Sequence, residues 1–160
     1  MVLAVLESVK YVGHFFPLIL LRLYIGYLYL SYALTVYQGN FLSDPQIAQQ
    51  STQALSTNLA PLWYQSFLTN WAIPNWKIFA VVMLIIGTLI GLSLIIGYLV
   101  RPISLLAILF CLNMLWIMGP DAAILYQVLI VVHITLGWLG AGRCLGLDYF
   151  FFKRQRGLWW

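Results

Sequence analysis

Four long apolar stretches constrain this chain more than any other feature of its sequence. They cover about 15–37, 78–100, 102–118 and 122–141, and each approaches the length that an α-helix needs to cross about 30 Å of hydrocarbon. No soluble core of this size requires 63% hydrophobic residues and a mean hydropathy of +0.93. The predicted fold is therefore all-α, an integral membrane four-helix bundle that forms one domain over 1–160.

Basic residues predict how this bundle is oriented in the membrane. They collect before the first span, between the second and third spans and in the tail, whereas the first and third connections carry Asp44 and Asp121. By the positive-inside rule, both termini are predicted to be cytoplasmic. The net charge of +4 is thus a topology signal rather than a sign of nucleic-acid binding. The residues that carry this signal are Lys10, Arg101, Arg143, Lys153, Arg154 and Arg156.

Two segments outside the spans are predicted to lie at the membrane surface. The outer loop 39–76 is polar, and Ser43-Asp44-Pro45 predicts a helix to about Ser56, with a second short helix over about 61–70. The loop is interpreted as an interfacial lid, and a substrate-recognition cap is the alternative. The tail 148–160 is aromatic and basic, which favours an amphipathic helix on an anionic leaflet or a docking surface for another subunit.

Glycines and one proline predict how the helices pack. Gly87 and Gly91 are four residues apart, a spacing that lets helix backbones approach, and Gly97 extends the same face. Arg101-Pro102 predicts a tight turn, because proline begins a helix more readily than it continues one. The second and third spans are then antiparallel neighbours.

A charge inside the first span needs a physical explanation, because an ionisable group in hydrocarbon is costly unless it is paired or faces water. Counting the helical rise from the predicted cytoplasmic ends puts Arg22 at about 10 Å, His133 at about 12 Å and Asn113 at about 16 Å. These depths predict one polar cluster with a ligand-binding or structural role. Snorkelling of Arg22 toward lipid phosphates is the alternative.

His133 leaves three interpretations open. It can hydrogen-bond across helices, bind a quinone or another ligand, or serve as an axial ligand of haem or chlorophyll. A second histidine at matching depth is missing, since His14 lies at the membrane edge, so an intrinsic haem is not favoured. No metal site is predicted.

Several short motifs, taken together, resemble the DoxX/DoxD family of small bacterial and archaeal membrane proteins. The resemblance covers nearly the whole chain and implies the same four-helix architecture in an inner membrane. Some members are described as the small, quinone-linked subunit of a thiosulfate:quinone oxidoreductase. The matching motifs are Arg22-x3-Gly26, Trp63-Tyr64-Gln65-Ser66-Phe67-Leu68 with Pro74-Asn75, Gly91-Leu92-x4-Gly97-x3-Arg101, Asn113-Met114 and Gly142-Arg143-x2-Gly146-Leu147-Asp148.

The chain departs from the family pattern at three positions. Where DoxX-like proteins carry a glycine, a lysine and a glutamate, this chain has Ala33, Val36 and Gly87. The arginine is retained without the opposite charge, which implies neutral partners for Arg22 and weakens any transfer of redox chemistry.

The sequence favours an accessory or structural subunit of a larger respiratory or photosynthetic membrane complex that binds lipid or quinone. It has no self-contained catalytic constellation, which favours a role that is non-catalytic by itself. The alternative is the membrane subunit of a quinone-coupled oxidoreductase, with a quinone between the first and fourth spans and electrons from a partner. The predicted partners are the bilayer and other membrane subunits, and no intrinsic cofactor is predicted.

Overall fold

The computed structural model describes residues 16–39, 44–57, 60–143 and 146–148, and these residues are helical with no strand. Within these ranges, four helices are long and apolar enough to cross a membrane. The chain is therefore an all-α, multi-pass membrane protein, which confirms the predicted fold class. The four helices are α1 (Phe16–Gln38), α4 (Trp76–Ile96), α5 (Val100–Ile117) and α6 (Pro120–Leu139).

The first connection holds the two short helices that its sequence predicts. They are α2 (Gln46–Thr57) and α3 (Leu62–Phe67), and α3 runs directly into a π-helical turn over Leu68–Ala72. These elements pack on α4 and α5 at what we call the loop end of the bundle. A separate small core forms there from Ile47, Ala60, Tyr64, Leu68, Ala72, Phe79, Ala80 and Ile117.

The opposite end, which we call the terminal end, is where α1 begins, α6 ends and α4 turns into α5. The turn differs from the predicted one. It lies at Gly97–Leu99, with Gly97 at φ 72° and Leu99 at φ 52°, while Arg101 and Pro102 already belong to the first turn of α5. The physical reason is that a proline in the first helical turn removes no intrahelical hydrogen bond, so α5 can start before it.

The four spans pack as two closely associated pairs, α5 with α6 and α1 with α4. In the α1–α4 pair, glycines bring the backbones together: a Cβ at Gly26 would lie 3.0 Å from the Gly91 carbonyl oxygen, and one at Gly91 would lie 3.1 Å from that of Gly26. Gly87 is less confined, because a Cβ there would be 3.9 Å from the Phe110 ring. The tight crossing therefore depends on Gly26 and Gly91.

The helix α6 lies at the edge of this arrangement. Only 11% of its span is buried inside the structure, compared with 33%, 33% and 39% for the other three spans. The main core lies between α1, α4 and α5, and α6 contributes mainly Leu136 and His133 to the interior.

Candidate functional site

Arg22 is buried at the terminal end and is only 1% exposed. Its Nη1 donates a hydrogen bond of 2.9 Å to the carbonyl oxygen of Ala141, just beyond the end of α6. This bond places the guanidinium at a junction of helix ends.

The surroundings of Arg22 explain why a positive charge is tolerated there and why residue 97 is a glycine. A Cβ at Gly97, which ends α4, would lie 2.6 Å from Arg22 Nη1 and 2.6 Å from the Cα of Gly146. The guanidinium therefore sits beside the carboxyl ends of both α4 and α6, where the helix dipoles favour a positive charge. Gly97 is required twice, for its positive φ and for the space that Arg22 occupies.

Asp148 completes the terminal end by capping a helix from far along the chain. Its Oδ1 accepts a hydrogen bond of 2.7 Å from the Leu99 N–H, and its Oδ2 accepts one of 3.0 Å from the Val100 N–H. The backbone N–H of Asp148 also donates to the Gly97 carbonyl at 3.0 Å. A carboxylate at the amino end of α5 suits the helix dipole and satisfies two N–H groups that have no intrahelical partner.

The remaining residues of the predicted motif lie around this junction. Gly142 is buried in direct contact with the Asp148 carboxylate, and the backbone of Arg143 lies in a short 3₁₀ turn, Ala141–Arg143. Asp148 was predicted to cap a helix over about 149–155, and that segment lies outside the described residues. What the structure shows for Asp148 is the cap on α5.

His133 lies deeper in the bundle and is fully buried. Its Nε2 is 3.0 Å from the Tyr29 hydroxyl, which is in turn 3.2 Å from Cys111 Sγ. The three side chains come from α6, α1 and α5, so the Tyr29 hydroxyl ties three spans together. The second ring nitrogen, Nδ1, has no hydrogen-bond partner among the described residues.

Asn113 belongs to the loop end. Its Nδ2 donates a hydrogen bond of 2.8 Å to the hydroxyl of Tyr64, in α3. Tyr64 is only 3% exposed, and burial raises the pKa of its phenol above the ordinary value, which keeps the hydroxyl neutral. Its ring lies 4.7 Å from that of Trp116. Tyr64 thus anchors the first connection to α5.

The structure therefore separates Arg22, Asn113 and His133, which were predicted to form one cluster. The hydrogen bonds that the structure shows for these residues lead to three different partners, Ala141, Tyr64 and Tyr29 respectively. The depth count failed because the helix ends are not level: α1 begins six residues before Arg22, about 9 Å of rise, whereas α4 and α6 end beside that residue. His133 is instead level with Tyr29, two helical turns along α1.

A cleft between α5 and α6 has both polar and apolar side chains in its wall. It has a volume of about 500 Å³ and is lined from α5 by Arg101, Ser104, Leu105 and Ile108, and from α6 by His133, Ile134, Gly137 and Trp138. Ser104 is only 1% exposed, and its hydroxyl, like His133 Nδ1, has no hydrogen-bond partner among the described residues. Arg101 is half-buried, and Trp138 is exposed at the rim.

A second, smaller cleft of about 190 Å³ lies between α1, α5 and α6. It is almost wholly apolar, with rings of Tyr29, Tyr32, Phe110 and Tyr126 in its wall. It corresponds to the predicted place for a quinone between the first and fourth spans, but neither Arg22 nor His133 lines it. Two of the buried polar atoms that lack hydrogen-bond partners among the described residues, Ser104 Oγ and His133 Nδ1, belong to residues that line the α5–α6 cleft instead.

Ser104 is the residue that sequence reasoning missed. The signal was present in the spacing of Arg101, Ser104 and Ile108, which puts all three on one face of a helix.

Within the described residues, no group of three His, Cys, Asp or Glu side chains could hold a metal ion. The chain matches no protein-family model, no curated protein and no solved structure.

Proposed function

We propose that this protein is an accessory membrane subunit, non-catalytic by itself, that holds an amphiphile of the lipid or quinone class in the α5–α6 cleft. The observation that carries this proposal is the pair of buried polar atoms at the cleft, Ser104 Oγ and His133 Nδ1, which lack partners in the described residues. A buried polar group without a hydrogen bond is costly, so a ligand oxygen that bonds to both atoms stabilises the protein.

The size and lining of the cleft fit this class of ligand. A volume of about 500 Å³ is within the usual range of small-molecule sites. Ile108, Ile134 and Leu105 supply an apolar wall, and Ser104 and His133 add a hydroxyl and an imidazole to the lining. Neutral imidazole can donate to a carbonyl or accept from a hydroxyl, according to which ring nitrogen carries the proton. This chemistry suits a quinone ring or the ester and headgroup region of a lipid.

The predicted setting of this subunit is an inner membrane, with both termini cytoplasmic and the terminal end facing the cytoplasm. The motifs that resemble the DoxX/DoxD family support this setting, and the relationship stays a prediction. In that orientation Arg101 and Trp138 lie near the cytoplasmic surface, at the level of lipid headgroups. The larger complex that such a subunit serves would be respiratory or photosynthetic.

The site can be tested by extracting what the purified protein retains. The full chain, purified in mild detergent, should retain one amphiphile per chain in mass spectrometry. We expect Ile108→Trp, which fills the cleft, to lose this ligand. Leu109→Trp is the matched control, because Leu109 is exposed on α5 and does not line the cleft.

The outcome also separates the two functional classes. A retained phospholipid supports the accessory subunit, and a retained quinone supports the quinone-coupled oxidoreductase subunit. If the wild type retains no amphiphile, or if Ile108→Trp retains as much as Leu109→Trp, the proposed site is wrong.

A further inference from the structure

The outer face of α6 carries a stripe of exposed residues with one polar member. Each of its five residues is exposed, and their spacing alternates between three and four along the helix. This is the spacing by which two helices pack side by side with a slight left-handed supercoil, in membranes as in water. The residues of this α6 stripe are Ile124, Gln127, Val131, Ile134 and Trp138.

Gln127 is the unexpected residue of the α6 stripe. It is exposed and has no hydrogen bond within the described residues, although it lies seven residues into the helix, about 10 Å. In hydrocarbon, a carboxamide without a partner is unfavourable, because no water is present to bond to it. Thr135 on the same helix shows the usual solution, since its hydroxyl donates to the Val131 carbonyl at 2.9 Å.

We propose that α6 forms the interface of a homodimer, in which two copies of this chain pack α6 against α6 in parallel and the Gln127 side chains hydrogen-bond to each other. The inference does not require a ligand in the α5–α6 cleft, but the two surfaces adjoin, since Ile134 and Trp138 belong to the α6 stripe and also line that cleft.

A second copy fits this face for reasons of depth and chemistry. Two copies inserted with the same topology present every residue at the same depth, so a two-fold axis along the membrane normal places Gln127 opposite its own copy. A carboxamide both donates and accepts, so this pair is self-complementary. The α6 stripe contains no charged residue, so two copies meet without repulsion. The low burial of α6 leaves the whole face accessible.

Cysteine cross-linking in liposomes tests the geometry of this interface. In a Cys144→Ser background, we expect Val131→Cys to form disulfide-linked dimers on mild oxidation. Leu125→Cys should not, although the two native side chains are comparably exposed, at 62% for Val131 and 58% for Leu125. Leu125 is the matched control because it lines the smaller cleft between α1, α5 and α6, on the other side of the helix.

The contribution of Gln127 is measured by energy transfer between labelled copies at a series of protein-to-lipid ratios. Gln127→Leu should raise the dimer dissociation constant about threefold to twentyfold for each interhelical hydrogen bond lost. Thr135→Val should leave it unchanged, since that hydroxyl already bonds within its own helix.

Three results would overturn the homodimer. The wild type could stay monomeric at every ratio, Gln127→Leu could dimerise as well as the wild type, or Leu125→Cys could cross-link as efficiently as Val131→Cys. A cross-link from Val131→Cys to a different membrane protein, in native membranes and without homodimers, would also contradict it.

Discussion

The terminal end of the bundle and the α5–α6 cleft treat buried polar groups in opposite ways. At the terminal end, Arg22 and Asp148 meet backbone groups at the ends of three helices. At the cleft, Ser104 Oγ and His133 Nδ1 are equally buried and have no partner in the described residues. From this difference we expect Arg22 and Asp148 to stabilise the fold, whereas Ser104 and His133 are the residues that we propose for a ligand.

Loss of the Asp148 cap should give the largest effect on stability. Asp148→Ala removes two hydrogen bonds to a carboxylate, together worth about 3 to 6 kcal/mol. Thermal unfolding in detergent can be measured by maleimide labelling of Cys111, which is buried in the folded protein, in a Cys144→Ser background. Asp148→Asn keeps one acceptor oxygen and should lose less. Equal stability of Asp148→Ala and the wild type would show that this cap does not stabilise the terminal end.

A double-mutant cycle between Gly97 and Arg22 should give the next largest effect. Gly97→Ala introduces a Cβ at positive φ and 2.6 Å from Arg22 Nη1, which should cost about 2 to 4 kcal/mol. Part of this cost should vanish in an Arg22→Met background, because the guanidinium that the new Cβ would contact is absent. Strictly additive losses in the same unfolding assay would show that the two residues do not interact.

The central hydrogen bonds of Tyr29 should contribute less. Tyr29→Phe leaves His133 Nε2 and Cys111 Sγ without their shared partner, and we expect a loss of about 1 to 2 kcal/mol. Tyr27→Phe is the control, since Tyr27 is 60% exposed on the same helix. The two variants would unfold alike if the Tyr29 hydroxyl contributes nothing.

The smallest effect is expected at the cleft itself. Ser104→Ala removes a hydroxyl that has no partner in the described residues, so the ligand-free protein should lose no stability and gain at most about 1 kcal/mol. The same variant should weaken retention of the extracted amphiphile. A marked loss of stability in ligand-free Ser104→Ala would show that this hydroxyl stabilises the fold, as Asp148 is expected to do at the terminal end.

The spans could be predicted from hydropathy because hydrocarbon thickness sets helix length. The largest boundary difference is four residues, at the end of α4, predicted at 100 and observed at Ile96. There a glycine at positive φ stops the helix, and the local sequence offered Arg101-Pro102 as a competing turn. The first short helix of the connection was predictable for a similar local reason, the capping sequence Ser43-Asp44-Pro45.

The partners of the polar residues could not be predicted in this way. They depend on the rotation and the vertical offset of each helix, which a single sequence does not specify. Asn113 was assigned to one cluster with Arg22 and His133, but its partner is Tyr64, which reaches α5 from outside the spans. For Arg22, the structure shows a bond to the Ala141 carbonyl, whereas the prediction named Asn113 and His133.

The Arg22 bond also orders events during synthesis of the protein. Its acceptor, Ala141, lies 119 residues later in the chain, a delay of about 6 to 24 s at typical rates of translation. Throughout this interval the first span carries a cation whose backbone acceptor has not yet been made. A nascent chain that stalls before α6 is complete therefore lacks the backbone acceptor that Arg22 has in the finished protein.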